Sequence, residues 1–491
     1  MTSVSAFLPE FVLLFGALVL FFLTLSESAG ARARSVTTAI GVLGVVAALL
    51  ACCSETVLFS GAYRVDAFSQ LLKIAILCGF TAITIVSGNL PDIREKVRAE
   101  YFLFLTLSAT GVVMLVSCID ALTVVIALEL SSFPLYLMVA MRREREGQRT
   151  QMESAIKYIM FGVAANGIMF FGMSYLFALT GTTSIPVMAE KLMPVIGTPM
   201  AIAGLALTLA AFLFKLAVFP FHFWTPDVYQ GASNETTSLV ASLPKVGAVA
   251  VLVRFVSLAT PDNHTLATLL TCFAIGSMFY GNLIALAQKD FKRLLGFSAI
   301  AHAGYAMVGF VSLSQAGFAA ALYYITGYML MVLACFLVIS RVSRDGGNVM
   351  IDDLAGLHRR SPLLALTLLV GLFGLAGIPP FVGFMGKLSL LTAAYQQGHG
   401  ALVLIAMINA AIAIYYYLSV VRKAVFGENN DNAQPAPISL DWQTKGLCVA
   451  LIVAIVTLGV LPTRVLDGFS RSVASANAPI AATAVVSAVA K

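Results

Sequence analysis

The sequence predicts an all-α polytopic membrane protein with about fourteen transmembrane helices. Hydrophobic residues make up 59% of its 491 positions, charged residues only 11%, and the mean hydropathy is +0.93. Apolar windows of roughly 20 residues, the length that spans a bilayer as a helix, recur between short polar connections. Runs such as 201–213 do not alternate between apolar and polar residues, which excludes transmembrane strands.

The predicted spans follow one another along the whole chain. In order, they are 6–26, 36–54, 67–88, 101–118, 120–140, 155–180, 199–219, 237–259, 265–286, 293–312, 316–340, 362–394, 400–421 and 443–462.

The net charge of +6 comes from basic residues in the short loops, so it indicates membrane topology rather than a nucleic-acid surface. Lys and Arg concentrate in the loops that follow odd-numbered spans. This asymmetry predicts a multi-pass protein of the bacterial inner membrane with both termini in the periplasm. The seven cysteines lack the spacing of a metal site or a disulfide framework.

A charge at the bilayer centre costs about 2.5 to 3.5 kcal/mol, so charged residues inside the spans require an explanation. The short list of such residues is Lys73, Lys157, Lys215, Lys245, Arg254 and Lys387 among the bases, with Glu129 the acid deepest in a span. Lys73 lies near a span end, where we expect its long stem to reach the interface. Arg254 is expected to be an interfacial anchor without a functional role. For Lys157, interfacial exposure and a functional role are both open.

Glu129 lies roughly 13 Å of helix from the end of its span and cannot reach the interface. Its protonation therefore depends on its neighbours, as a proton relay requires. The alternative is a carboxylate that pins two helices together through a fixed ion pair.

Lys215 lies five residues before Pro220, and Lys387 follows Pro379 and Pro380 in a glycine-rich stretch. Proline breaks or kinks a helix, and broken helices at membrane depth are typical of ion sites in transporters. The proline follows the first lysine and precedes the second, which indicates an inverted repeat.

Lys245 also adjoins a proline, Pro244, and His302 is central in its span. Histidine titrates near physiological pH, although a membrane histidine can equally serve only as a hydrogen-bonding partner. Lysines that can lose their proton, arranged with Glu129 and His302, make a proton path the leading hypothesis. No glycine-rich phosphate loop or large soluble domain is present, so ATP, a dinucleotide or an iron–sulfur cluster has no familiar binding site.

These motifs resemble the antiporter-like subunits of respiratory complex I and of multi-subunit cation/proton antiporters. The resemblance covers about 101–426 and includes Glu129, Lys215 with Pro220, the segment Phe-His-Phe-Trp-Thr-Pro-Asp-Val-Tyr-Gln-Gly ending at Gly231, Lys245, Ser-Ala-Ile-Ala-His302-Ala-Gly-Tyr and Gly-Ile-Pro-Pro with Gly-Lys387. Within this family, the lysine at position 387 makes the chain resemble most the subunit N members of NADH:quinone oxidoreductase, the counterparts of mitochondrial NADH dehydrogenase subunit 2.

The resemblance implies two inverted five-helix repeats, each with a discontinuous helix. The implied division is 1–100 (three helices), 101–260 (helices 4–8), 261–426 (helices 9–13) and 427–491 (helix 14 and tail). It also implies that Glu129 pairs with Lys215, that protons pass Lys245 and His302, and that Lys387 serves the outer exit. Lys157 matches a family lysine, which favours its functional role.

The same resemblance implies other complex I subunits of the membrane and peripheral arms as partners. NADH, FMN, iron–sulfur clusters and quinone are expected on those subunits, and this chain is expected to bind no cofactor or metal. The segment 232–238 departs from the family pattern, so the entry to helix eight is expected to differ locally. A subunit of a Na⁺/H⁺ antiporter and a membrane scaffold without transport remain the alternatives.

Overall fold

The computed structural model describes residues 5–26, 30–144, 149–260, 263–427 and 437–477. Its helices are α1 Leu8–Thr24, α2 Gly30–Ala51, α3 Ala67–Ser87, α4 Arg98–Leu115, α5 Ala121–Ala140, α6 Thr150–Thr180, α7 Ile185–Leu192, α8 Pro199–Thr208, α9 Ala210–Leu216, α10 Trp224–Gly231, α11 Asn234–Ala241, α12 Leu243–Val256, α13 His264–Ala285, α14 Phe291–Val311, α15 Gln315–Val342, α16 Leu357–Arg360, α17 Pro362–Ala376, α18 Val382–Gln396, α19 Gly400–Phe426, α20 Trp442–Val460 and α21 Pro462–Asn477. Short 3₁₀ helices occur at Phe59–Gly61, Glu95–Val97 and Ile351–Leu354.

The predicted helical membrane fold is confirmed. Within the described ranges, 12 helices or helix pairs are long and apolar enough to cross a membrane, and α1 and α17 are shorter apolar helices. The count of about fourteen spans remains a prediction. One small exception to the all-helical architecture is an antiparallel hairpin of β1 Thr56–Leu58 and β2 Tyr63–Val65.

Aspartates at loop ends begin several of the membrane helices. The Asp66 carboxylate accepts a hydrogen bond from the Ser69 amide at the start of α3. Asp120 caps α5 in the same way, and Asp290 caps α14. Because the first amides of a helix lack partners within it, these carboxylates fix where each apolar segment becomes helical.

Both predicted helix breaks are present and have the same local form. Helix α9 ends at Leu216, and the next residue, Ala217, adopts a left-handed conformation with φ 69°. Helix α17 ends at Ala376, followed by Gly377 with φ 84°. The chain resumes as a helix only after the prolines. At both breaks, main-chain carbonyls inside the protein therefore have no hydrogen-bond partner within a helix.

A third interruption was not predicted. Residues 234–256 form two helices, α11 and α12, that meet at Ser242, and every residue of this pair is buried. At the atypical segment 232–238 the predicted span begins only at residue 237, but Asn234 already begins α11 inside the protein. Ser233 caps this helix by accepting a hydrogen bond from the Thr236 amide. The tripeptide Asn234-Glu-Thr is therefore part of the core.

Two interpretations of charged residues were wrong. The Lys73 side chain has no exposed surface and forms an ion pair with Glu10, with 2.7 Å between Nζ and Oε1. Arg254 is also buried, and it donates a hydrogen bond to the Val116 carbonyl at 2.9 Å. Neither residue reaches the interface, because helix packing covers the ends of α3 and α12 with other parts of the chain.

The part after residue 426 contains helices α20 and α21. Helix α21 packs against α3 and α15, with Phe469 and Val473 buried at the contact. Arg64 of the hairpin donates hydrogen bonds to the carbonyls of Ser475 and Ala476. Residues 428–436 and 478–491 of the predicted final segment lie outside the described residues.

Candidate functional site

Lys215 lies in the last turn of α9, directly before the first helix break. Its side chain is 4% exposed, and its Nζ is buried without a hydrogen-bond partner among the described residues. The ammonium faces the rings of Tyr136 and Tyr158, 5.9 Å from each centroid. Aromatic faces attract a cation without accepting its proton, so this lysine is held in place by groups that leave its N–H bonds free.

Glu129 is the acidic group whose charge acts on Lys215. The two side chains do not form an ion pair within 4 Å in the described part of the chain. The carboxylate accepts instead a short hydrogen bond from the side-chain amide of Asn166 on α6. The family-implied pairing is therefore an electrostatic interaction across a gap, not a direct contact.

Lys245 lies in the first turn of α12, just after the interruption at Ser242. Its Nζ donates a hydrogen bond to the Leu216 carbonyl, 2.9 Å away, and lies 5.6 Å from the centre of the Tyr328 ring. The Lys245 ammonium thus binds the Leu216 carbonyl, which has no partner within a helix because α9 ends there.

Lys387 repeats this arrangement at the second break. Its Nζ donates to the carbonyls of Leu375 and Ala376 at 3.1 and 3.0 Å, and it lies 4.8 Å from the centre of the Tyr305 ring. Both breaks therefore have a lysine on the free carbonyls at the end of a half-helix and an aromatic ring beside the charge.

His302 is close enough to both lysines for the charges of Lys387 and Lys245 to act on it. One ring nitrogen, Nδ1, lies 2.6 Å from the Tyr324 hydroxyl, and Nε2 lies 2.9 Å from the Tyr417 hydroxyl. A neutral imidazole has one donor and one acceptor nitrogen, so the ring connects two hydroxyl groups and can change tautomer as protons move.

Lys157 is separate from this group. It lies near the start of α6, is 37% exposed, and pairs with Asp227 at 2.7 Å and with Glu153 at 2.6 Å. Asp227 also binds Arg293 at 2.9 Å. Burial raises the pKa of Asp227, but hydrogen bonds from Lys157 and Arg293 lower it by more. The pKa of Asp227 is therefore below the ordinary value of an aspartate.

Several polar partners were missed by sequence reasoning. Asp227 stands in the quoted Trp-Thr-Pro-Asp motif, which was a usable signal. Tyr324 and Tyr417 carry no such signal, because tyrosine in an apolar helix is common and only packing brings them to His302. Lys292 was assigned to a loop, but it is buried and donates to the Ala232 carbonyl at 2.8 Å.

Over the ranges that the structure describes, no group of three or more His, Cys, Asp or Glu side chains could hold a metal ion. What this arrangement offers is a series of lysines, one histidine and tyrosine hydroxyls inside a membrane fold. Such groups can accept and release protons.

Comparison with known proteins agrees with this chemistry. Residues 118–413 match the family described as NADH:quinone oxidoreductase/Mrp antiporter, TM. The chain is 68% identical to NADH-quinone oxidoreductase subunit N 2 of Opitutus terrae, over 97% of this chain and 99% of that protein. The chain belongs to the subunit N family. The match extends over nearly its full length, beyond the residues that carried the resemblance.

Solved structures of this wider family share the fold. A chain of respiratory complex I from Thermus thermophilus with bound aureothin superimposes with a TM-score of 0.80 at 29% identity, over 94% of this chain and 98% of that chain. A chain of the Mrp complex from Dietzia sp. gives a TM-score of 0.85 at 20% identity, over the whole of both chains, and shows the fold alone. The fold therefore does not separate the subunit N family from antiporter subunits, whereas the sequence does.

Proposed function

We propose that this subunit N family member is a membrane-arm subunit of NADH:quinone oxidoreductase that carries protons across the inner membrane. Electron transfer from NADH to quinone in other subunits would drive this movement. The observation that carries the proposal is the set of three buried lysines, Lys215, Lys245 and Lys387, each held by carbonyls or tyrosine rings. A buried ammonium without a paired carboxylate within 4 Å is costly unless its proton can leave, as transport requires.

The proposed path begins at the partly exposed Lys157, which pairs with the fixed anion Asp227. It continues through Glu129 and Lys215, whose charges interact without direct contact. Leu216, whose carbonyl binds Lys245, follows Lys215 directly in the chain, so the first helix break links the two lysines through the main chain.

His302 and its two tyrosine hydroxyls then connect Lys245 with Lys387 at the second break. Lys387 would release the proton on the outer side. Transfer between adjacent groups needs hydrogen bonds or single waters, and tyrosine hydroxyls can both donate and accept.

The proposed organisation keeps the division into 1–100, 101–260, 261–426 and 427–491, with helices 4–8 and 9–13 as inverted repeats. The similar breaks at Ala217 and Gly377 support this division. We also propose that both termini face the periplasm. NADH, FMN, iron–sulfur clusters and quinone would bind to the other subunits of the complex, which would be the partners of this chain.

A second candidate function is proton movement in a Na⁺/H⁺ antiporter. The matching family also includes Mrp antiporters, and the Mrp chain shares the fold. The same buried residues would serve both functions. The 68% identity to a subunit of NADH-quinone oxidoreductase favours the oxidoreductase function.

The deciding experiment introduces Lys215→Met on the chromosome. Membranes are assayed for assembled complex, NADH oxidation and NADH-driven proton uptake. We expect assembly to persist while oxidation and uptake fall together. Normal proton uptake by an assembled variant would contradict the proposal. Intact NADH oxidation with a loss of cation/proton exchange would replace it with the antiporter function.

The matched control is Lys423→Met. Lys423 is also a lysine of a long membrane helix, but it lies at the end of α19, is 39% exposed and pairs with the exposed Asp352. Exposed ion pairs contribute little, so this variant should assemble and pump normally.

A further inference from the structure

A second acid–lysine pair is buried in the first three helices, outside the proposed path. Glu10 on α1 and Lys73 on α3 have no exposed side-chain surface, and 2.7 Å separates Lys73 Nζ from Glu10 Oε1. Moving an ion from water into the protein interior costs roughly several kcal/mol. The attraction between the two ions only partly offsets this cost. An apolar pair would pack at least as well, so the charges call for a function.

Tyr63 of the hairpin completes this site. Its hydroxyl donates a hydrogen bond of 2.6 Å to Glu10 Oε1, and its ring centre lies 5.3 Å from Lys73 Nζ. The other carboxylate oxygen, Oε2, is buried and has no hydrogen-bond partner among the described residues. Oε1 is thus fixed by the Tyr63 hydrogen bond and the ion pair with Lys73, while Oε2 is available to bind a proton.

The same combination of groups occurs around Lys215. There too a buried ammonium faces tyrosine rings, and the charge of a carboxylate acts on it. The difference is that Glu10 contacts its lysine directly. The first three helices therefore contain the chemical components of the central site in a more compact form.

Other charged groups connect this site to the proposed path. Arg254 packs over the Phe68 ring, 4.8 Å from its centre, and its charge interacts with that of Asp66 beside the hairpin. Arg254 ends the same helix, α12, that begins with Lys245. Nine residues separate the two, about 13 Å along a helix. Helix α12 thus joins Lys245 of the proposed path to an arginine that packs on α3, the helix of Lys73.

We infer that Glu10 is a further proton-exchanging residue, positioned by Lys73 and Tyr63, at the end of the molecule where the hairpin lies. This inference rests on the proposed function. A proton from solvent binds Oε2 and forms an O–H bond, and that bond breaks when the proton returns to solvent. Lys73 remains an ammonium and stabilises the carboxylate between these steps, and no electrons are transferred.

The test compares Glu10→Gln with the native chain in assembled complex, by protons taken up per NADH oxidised. Glutamine keeps an oxygen for Tyr63 and Lys73 but cannot exchange a proton at this site. We expect a lower ratio, together with loss of a carboxylic-acid signal from the NADH-induced infrared difference spectrum. An unchanged ratio and spectrum would overturn the inference.

A second variant separates proton exchange from packing. Glu10→Leu combined with Lys73→Met removes both charges and keeps an apolar core, so assembly should be retained. The ratio should stay low. Recovery of the native ratio would mean that the pair only holds the helices together, and would overturn the inference.

Lys215→Met is measured in parallel. If Lys215 is essential and Glu10 is not, only this inference fails. If the Lys215→Met variant pumps normally, the proposed function is wrong, and this inference, which rests on it, is wrong as well. Asp92→Asn is the control for a buried ion pair, because Asp92 binds Arg142, which also holds the Gln230 and Gly231 carbonyls. An equal fall in its ratio would also overturn the inference.

Discussion

The ammonium of Lys245 donates a hydrogen bond to the main-chain carbonyl oxygen of Leu216, 2.9 Å away. Leu216 ends a half-helix, so this carbonyl has no helical partner. Lys245 therefore has two properties that can be separated experimentally: it satisfies a buried acceptor, and it carries a proton that can be lost.

Lys245→Arg and Lys245→Met distinguish these two properties. Arginine keeps a donor for the Leu216 carbonyl but does not release its proton, so the complex should assemble and fail to pump. Methionine also removes the donor, and leaving a buried carbonyl unpaired costs about 1 to 3 kcal/mol. We expect less assembled complex with methionine than with arginine, measured by native gels beside proton uptake. Pumping by the arginine variant would contradict a relay role for Lys245.

Tyr324→Phe tests the hydroxyl bound to His302 Nδ1. Loss of one hydrogen bond costs about 0.5 to 1.5 kcal/mol, and loss of the relay hydroxyl should slow proton uptake several-fold. The neighbouring Tyr323→Phe is the matched control, because Tyr323 donates to the Leu458 carbonyl at 2.6 Å instead. Similar stability with slower uptake only in Tyr324→Phe is the expected result. Equal uptake by both variants would exclude the hydroxyl from the path.

The membrane helices and two of the breaks could be predicted because their causes are local. Apolar length determines a span, and a proline removes a hydrogen bond wherever the chain folds. The buried position of Lys73 could not be predicted, because a lysine two turns inside a span can equally reach the interface. What decides it is Glu10 on another helix.

The candidate site was predicted as a set of residues but not as a network. Glu129, Lys215, Lys245, His302 and Lys387 were each identified by depth or by a nearby proline. Their contacts depend on tertiary packing, which no local pattern reveals. Asn166 donates a hydrogen bond to Glu129, tyrosine rings face the lysines, and tyrosine hydroxyls contact His302. The interruption at Ser242 has no proline in the preceding turn to mark it, and Pro244 alone is compatible with an ordinary helix start.

Gly162→Ala should displace the Tyr136 ring from Lys215. A Cβ atom at Gly162 would overlap the Tyr136 hydroxyl, and the Phe214 ring lies 3.4 Å away, so the tyrosine must move. Overpacking of this kind costs about 1 to 3 kcal/mol. We expect lower thermal stability and slower proton uptake.

Gly167→Ala, on the same helix α6, is the matched control. Beyond its own helix backbone and chain neighbours, a Cβ atom at Gly167 would meet no atom of the described residues within 4 Å, so alanine should be tolerated or slightly stabilising in this helix. Equal effects of the two substitutions would show that the Tyr136 ring does not depend on Gly162 for its position.

Asp227 is expected to act as a fixed anion, not as a proton carrier. Its lowered pKa means that its contribution to stability is fully present above the ordinary pKa of an aspartate and is lost only as pH falls through the lowered value. Asp227→Asn should therefore reduce the thermal stability of the complex by the same amount at about pH 6 and about pH 8. Proton uptake should fall at both values, because Lys157 and Arg293 lose their shared partner. Glu153→Gln removes only the exposed partner of Lys157 and should have a small effect. A loss in Asp227→Asn that changes between these two pH values would show that Asp227 titrates there and exchanges protons itself.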